Sequence, residues 1–155
     1  MLVTRFHSAE QDEVRALVVD GLVERWGVAD TSLNPDLDDL AALDARGILL
    51  VGRDRPEGPI LGTGTLLRHD PATGEIVRMS VARDRRGEGI GRLILDALVG
   101  HAESLGLDRI VLETTATWTD AVRFYTANGF VPTHTADGPF GPEAHFARVV
   151  GRGVS

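Results

Sequence analysis

The order of elements in this sequence predicts an α+β fold built on a mixed sheet. Three observations carry that reading. Short apolar runs between residues 48 and 81, separated by turn-rich stretches, read as a three-stranded antiparallel meander. The third run leads into a glycine-rich loop and then the strongest helical pattern of the chain. A strand after such a helix should lie parallel to the strand before the loop. Two more strands close the chain behind a further short helix.

Taken in order, Leu2 to Phe6 alternates weakly and reads as a first strand. Ser8 and Gln11 have capping-box spacing, with Glu10, Asp12 and Glu13 complementing a helix N-terminus. Val14, Leu17, Val18 and Leu22 follow at helical spacing until Gly27. Asn34-Pro35-Asp36 reads as a second helix start, with Leu37, Leu40 and Leu43 on its apolar stripe and Gly47 as its stop. Ile48–Val51, Ile60–Leu67 and Glu75–Val81 form the meander, with Gly62 and Gly64 marking bulge or close-approach positions. The helix after the loop carries Ile90, Leu93, Ile94, Ala97, Leu98 and Ala102 and stops at Gly106. Arg109–Thr114 is the parallel strand, Thr119–Ala127 a helix. Phe130-Val131 and Ala144–Val150 are two strands around a Gly/Pro-rich loop, Asp137 to Pro142.

The stretch Arg85-Arg86-Gly87-Glu88-Gly89-Ile90-Gly91-Arg92 carries the chemistry. Its alternate glycines let the backbone turn without side chains blocking a ligand. Unpaired N–H groups and the positive dipole end of the following helix make an anion site, with Arg83, Arg85, Arg86 and Arg92 adding charge. A P-loop is excluded, because Gly91 is followed by Arg92-Leu93 and the chain has no lysine. A dinucleotide fingerprint fails as well, since the third glycine position is taken by Arg92 and the upstream meander is not a βαβ entry.

Composition narrows the classes further. The 155 residues hold no cysteine, which removes disulfides, thiolate metal sites and a cysteine nucleophile. The five histidines stand at no common ligand spacing, so no metal is expected. A net charge of −7 speaks against nucleic acid as a partner. Met1-Leu2-Val3 is broken by Arg5, and no window approaches about 18 uncharged apolar residues, so a soluble, cytoplasmic single domain over 1–155 without membrane contact is expected.

The loop has the form R-x-x-G-x-G, filled by Arg86, Gly89 and Gly91. The run from Glu75 to Gly106 containing it resembles the acyl-CoA-binding core of the GNAT superfamily of N-acetyltransferases. Asp120 to Phe130, with Ala121, Tyr125, Gly129 and Phe130, resembles that family's second motif, in family order and spacing. The resemblance implies a three-layer fold, a central mixed and mostly antiparallel twisted sheet of about seven strands flanked by helices. It also implies acetyl-CoA as donor, its pyrophosphate on the amides of Arg86, Gly87, Glu88, Gly89, Ile90, Gly91 and Arg92. Main-chain groups of Met79, Ser80 and Val81 would meet the pantetheine arm.

By the same resemblance Tyr125 would protonate the departing thiolate and Glu75 would be the general base, with Glu113 and His145 as weaker base candidates. Trp118 stands where many relatives have an asparagine that contacts the donor, so that contact does not carry over. The implied activity is transfer of an acetyl group to a primary amine by direct attack in a ternary complex. A small-molecule amine is expected; a protein or peptide acceptor, or a non-catalytic acyl-CoA-binding sensor, are the alternatives. Acidic residues between Asp30 and Asp44 would border the acceptor cleft and suit a cationic substrate. The loop Asp137–Pro142 would border the same cleft. An exposed terminal strand offers a route to a homodimer.

Overall fold

A computed structural model describes residues 1–26, 34–139 and 141–151. Its elements are β1 (Leu2–Arg5), α1 (Gln11–Trp26), α2 (Leu40–Ala45), β2 (Gly47–Arg53), β3 (Gly62–Arg68) and β4 (Thr73–Val81). They continue with α3 (Ile90–Ser104), β5 (Arg109–Thr115), α4 (Thr119–Ala127), β6 (Val131–Gly138) and β7 (Gly141–Val149). The seven strands form one sheet in the order β1-β2-β3-β4-β5-β7-β6. Among these pairings only β4 with β5 is parallel, as the strand–loop–helix–strand order requires.

Period-2 alternation splits the core into two layers. Ile48 and Leu50 face α3, where Ile90, Ile94, Leu95 and Leu98 join Leu112, Phe130 and Phe146. Leu49 and Val51 face the other way, onto Val14, Val18, Leu37, Leu40 and Leu43 of α1, α2 and the turn between them. Gly62 and Gly64 are close-approach positions. A Cβ on Gly62 would lie 2.7 Å from both Ile90 and Ile94, and one on Gly64 would collide with the Met79 sulfur.

The first helix is capped differently from the sequence expectation. A single 3₁₀ turn at Ser8–Glu10 precedes α1, which moves the cap from Ser8 to His7. Its Nδ1 accepts the Ala9 N–H at 3.2 Å, while Glu10 accepts the His7 N–H at 2.8 Å. Gln11, freed from capping, ties α1 to the next helix by donating to the Leu37 carbonyl (2.8 Å) and accepting the Leu40 N–H (2.9 Å). The expected stop at Gly27 lies outside the described residues. Pro35–Asp38 is a 3₁₀ turn, and α2 starts only after Asp39, whose carboxylate accepts the Ala42 N–H at 3.1 Å.

Two irregularities matter for the site. The β3–β4 register runs Thr65↔Val77, then Thr63↔Ser80, so Arg78 and Met79 together oppose Gly64 in a bulge. Arg78 sits there at φ 56, and its guanidinium reaches Asp36 (2.8 and 2.7 Å) and Asn34 (2.9 Å). The bulge reverses the facing of the strand, so Ile76, Met79 and Val81 all pack on the α3 side. The β4–β5 ladder covers Thr73↔Arg109, Gly74↔Ile110 and Glu75↔Val111, and no pairing beyond them joins the two strands. The Gly/Pro-rich segment expected as a loop is instead the tip of a hairpin. Asp137 pairs with Pro142 and Gly138 with Gly141, which takes φ 114 to make the turn.

Candidate functional site

Gly87 and Gly89 adopt φ 82 and φ 87, and Gly89 is the N-cap of α3 with no side chain bonded over it. A Cβ on either would meet nothing within 4 Å, so glycine is needed there for conformation and its surroundings are open. The first-turn amides of α3 therefore face outward as an anion site.

The arginines around this site do not act as free charge. Arg86 donates to Glu24 at 2.5 Å, and Arg83 meets Glu24 at 3.1 Å and Asp20 at 3.2 Å. Arg85 is held by Asp54 and Glu88, each at 2.9 Å. The hydrogen bond from Arg86 holds the Glu24 carboxyl below its ordinary range. Arg92 is the exposed exception, 3.9 Å from Asp96. Positive potential at the loop thus comes chiefly from the helix end.

The loop opens into a cleft of about 1040 Å³. Its walls are the part of β4 after Glu75, including Met79, Ser80 and Val81, the far end of β5, and α4 with Phe124 and Tyr125. Arg86, Gly87, Gly89, Ile90, Gly91 and Arg92 all line it; Glu88 turns away to Arg85. Tyr125 is 9% exposed and meets Phe124 and Phe130 edge-on, at ring-centroid distances of 5.2 and 5.8 Å. Burial pushes its phenol up to about 12, which keeps the O–H protonated. Trp118, at the N-terminus of α4, lines the cleft and carries the Arg25 guanidinium 4.3 Å above its ring. Arg25 also forks onto Asp120 at 3.1 and 2.7 Å, linking α1 to α4.

Glu75 is not on the wall of this cleft. It accepts or shares a hydrogen bond with His69 Nε2 at 2.6 Å and lines an adjoining cavity of about 450 Å³ together with Arg78, Asp36 and Glu113. The acidic segment expected to draw a cationic substrate has structural work instead. Asp36 is bound by Arg78, Asp38 by Arg15 at 3.4 Å, Asp44 by Arg5 at 3.1 Å, and Asp39 caps α2. Asp30 lies outside the described residues. From the Asp137–Pro142 hairpin, Gly141 reaches the cleft, and so does the next residue after Pro142, Glu143.

Glu143 was not among the sequence candidates. It joins Glu113 and His145, whose Nε2 lies 3.6 Å from the Glu113 carboxylate and 3.8 Å from that of Glu143. Burial, reinforced by a hydrogen bond that protonated Glu113 donates to the Glu143 carboxylate and by that residue's charge, pushes the Glu113 carboxyl above its usual range. One donor atom from each of the three lies within 4.8 Å of the others, a spacing that a metal ion could also use. The signal was present in the alternation of residues 143 and 145 on one face of a strand, but the register that sets Glu113 opposite His145 is a tertiary fact.

Comparison with known proteins agrees with this geometry. The family model described as "Acetyltransferase (GNAT) family" matches residues 12–130. The chain is 32% identical over 108 residues to an IAA acetyltransferase of Azospirillum brasilense, covering 69% of this chain and 65% of that protein. It is 37% identical over 89 residues to a mycothiol acetyltransferase of Actinosynnema mirum, covering 56% of this chain and 29% of that protein. The matches thus span less than two thirds of either relative. A crystal structure of a GNAT-family acetyltransferase from Staphylococcus aureus Mu50 superposes with a TM-score of 0.85 at 20% identity, covering 97% of this chain and 99% of the other. With a glycine-capped helix opening onto a parted pair of parallel strands, and a family match spanning both features, this chain belongs to the GNAT family of acetyltransferases.

Proposed function

We propose that the protein is an N-acetyltransferase that moves an acetyl group from acetyl-CoA to a small primary amine by direct attack in a ternary complex. The observation that carries this reading is the joining of three features in one cleft: the open α3 N-terminus, the unpaired edge of β4, and Tyr125. The amides of residues 86–92 would receive the donor's pyrophosphate. The β4 edge at Met79–Val81 would pair with the two amides of pantetheine as an added strand does. A backbone N–H of the same stretch would meet the tetrahedral oxyanion. With no cysteine in the chain, no thioester enzyme intermediate through a cysteine can form. Alignment of amine and thioester supplies much of the rate.

The proton bookkeeping favours a particular role for Tyr125. With its phenol at about 12 and a thiol reference near ~8.5, full transfer to the thiolate would run uphill by roughly 5 kcal/mol. The hydroxyl therefore serves first as a hydrogen-bond donor to the departing sulfur. A proton leaving the acceptor nitrogen replaces the one it gives up.

Release of free thiol from acetyl-CoA across a panel of small amines and amino-terminal peptides tests the reading. Turnover on small amines above the peptide background is expected. Tight CoA binding without turnover on any acceptor would make the chain a binding module and overturn it.

A further inference from the structure

The arginines on the walls of the two cavities are committed to acids, with one exception. In the main cleft Arg25, Arg78, Arg85 and Arg86 each meet a carboxylate at 2.5 to 2.9 Å, and Arg92 lies 3.9 Å from Asp96. Arg46, on the wall of the adjoining cavity of about 450 Å³, has no ion pair among the described residues. The acids of that cavity are already partnered. Asp36 takes Arg78, Glu75 meets His69 Nε2 at 2.6 Å, and Glu113 shares a hydrogen bond with Glu143. What remains on offer to a ligand is one cation.

Local structure fixes where this cation stands. Arg46 closes α2, its N–H donating to the Leu43 carbonyl at 3.1 Å while its own carbonyl takes the Arg68 N–H at 2.9 Å. It therefore sits one step from the row in which Gly47 pairs with Leu67 and Leu67 with Glu75. Asn34, Ile76, Val77, Arg78 and Glu113 line both this cavity and the main cleft, so the two spaces are continuous. Leu43 and Leu67, 3% and 5% exposed, give the cavity an apolar floor. From Glu75 to Arg78 the strand advances roughly 10 Å, a distance that a short methylene or peptide spacer crosses. Arg46 itself is exposed at the solvent end. Its guanidinium is a planar fork of N–H donors without an acceptor, which matches the paired oxygens of a carboxylate or phosphate.

Resting on the N-acetyltransferase reading, we propose that this cavity holds the far end of the acceptor and that Arg46 selects amines bearing a carboxylate or phosphate monoester at the end of a spacer. The guanidinium donates to the oxyanion, the spacer lies on Leu43 and Leu67, and the nitrogen reaches the parted end of β4 and β5. Arg46 stands away from the reacting atoms, so it sets which amine is held and leaves the chemical step to the cleft.

The experiment measures thiol release from acetyl-CoA with 6-aminohexanoate, 6-aminohexyl phosphate and 6-amino-1-hexanol, which share one chain and differ in the tail. For wild type the KM of at least one anionic amine should lie about tenfold or more below that of the alcohol, the scale of a charge-assisted hydrogen bond. The tail with the larger preference names the group. R46Q should remove the preference and leave the KM for acetyl-CoA unchanged. R68Q is the matched control, because Arg68 is a neighbouring exposed arginine with no ion pair among the described residues and lines neither cavity. The preference should survive its loss. Wild type with no preference, a preference that persists in R46Q, or one that falls equally in R68Q would overturn the inference and leave the N-acetyltransferase reading standing. So would thiol release with other amines and none with these three. No release with any amine would overturn both.

Discussion

Replacing Gly89 by alanine adds a methyl group at φ 87, where no described atom lies within 4 Å of it. The methyl meets no steric wall, so its cost is conformational, about 1–2 kcal/mol for an L-residue held in the left-handed region. For a domain of this size that is a fall in Tm of roughly 3–6 °C. Gly106, just past the C-terminus of α3, supplies the matched control: it takes φ 72, and a Cβ there also meets nothing within 4 Å. G89A and G106A should therefore lose similar stability in thermal unfolding. They should differ in acetyl-CoA kinetics, because only Gly89 lies in the loop whose amides would hold the pyrophosphate and lines the cleft. A rise of about tenfold in acetyl-CoA KM is expected for G89A, the loss of one good anion contact, and none for G106A. G91A adds a Cβ in ordinary contact with Val81 (3.4 Å) and Phe124 (3.5 Å) and should be neutral or slightly stabilising. Equal acetyl-CoA KM values for G89A and G106A would refute the cradle.

Y125F should lower kcat while leaving acetyl-CoA KM and Tm near wild type, since the ring that packs against Phe124 and Phe130 is kept; full activity would reduce Tyr125 to packing. E24Q releases Arg86 from a competing carboxylate, so acetyl-CoA KM should fall about two- to threefold at low salt and converge with wild type at high salt. Glu24 has a lowered folded pKa, so its contribution to stability is present above its unfolded value and is lost as pH falls through the folded one. Unfolding curves of wild type and E24Q should accordingly approach each other below about pH 4. Glu113 has the opposite sign. Its folded pKa is raised, so stability tied to its proton is lost as pH rises through that value, and E113Q should be more stable than wild type at neutral pH but not in acid.

Local chemistry made much of the fold legible. The parallel β4–β5 pair followed from strand, loop and helix order, and Gly62 and Gly64 announced the close packing of α3. What escaped was long-range. Nothing near Arg86 in sequence points to Glu24, 62 residues away, so a stretch that looks strongly basic is largely neutralised once α1 packs beside it. The aspartates around α2 looked like a substrate funnel because their arginine partners, Arg5, Arg15 and Arg78, come from other elements. Asp137–Pro142 looked like a loop because Gly and Pro usually punctuate; here Gly141 makes a tight turn and Pro142 still serves β7, accepting the Ala116 N–H at 2.9 Å. Glu113 and His145 were visible singly. Their meeting with Glu143 needed the register of β5 and β7.

The bulge at Arg78 also sets which changes in chain length the protein can absorb. Its extra residue is what places Met79 and Val81, together with Ile76, against α3. If the six residues from Ile76 to Val81 alternated without the bulge, Met79 and Val81 would turn to the opposite face and Ser80 would enter the apolar layer; deleting the extra residue, Arg78, gives plain alternation with Met79 and Val81 still facing α3 but removes the guanidinium that ties β4 to Asp36. The segment from Asp54 to Pro59 connects two antiparallel strands at the surface and carries no such count. Natural or engineered insertions should therefore accumulate there rather than in β4, whose one extra residue is already taken up by the bulge that shapes the wall of the cleft.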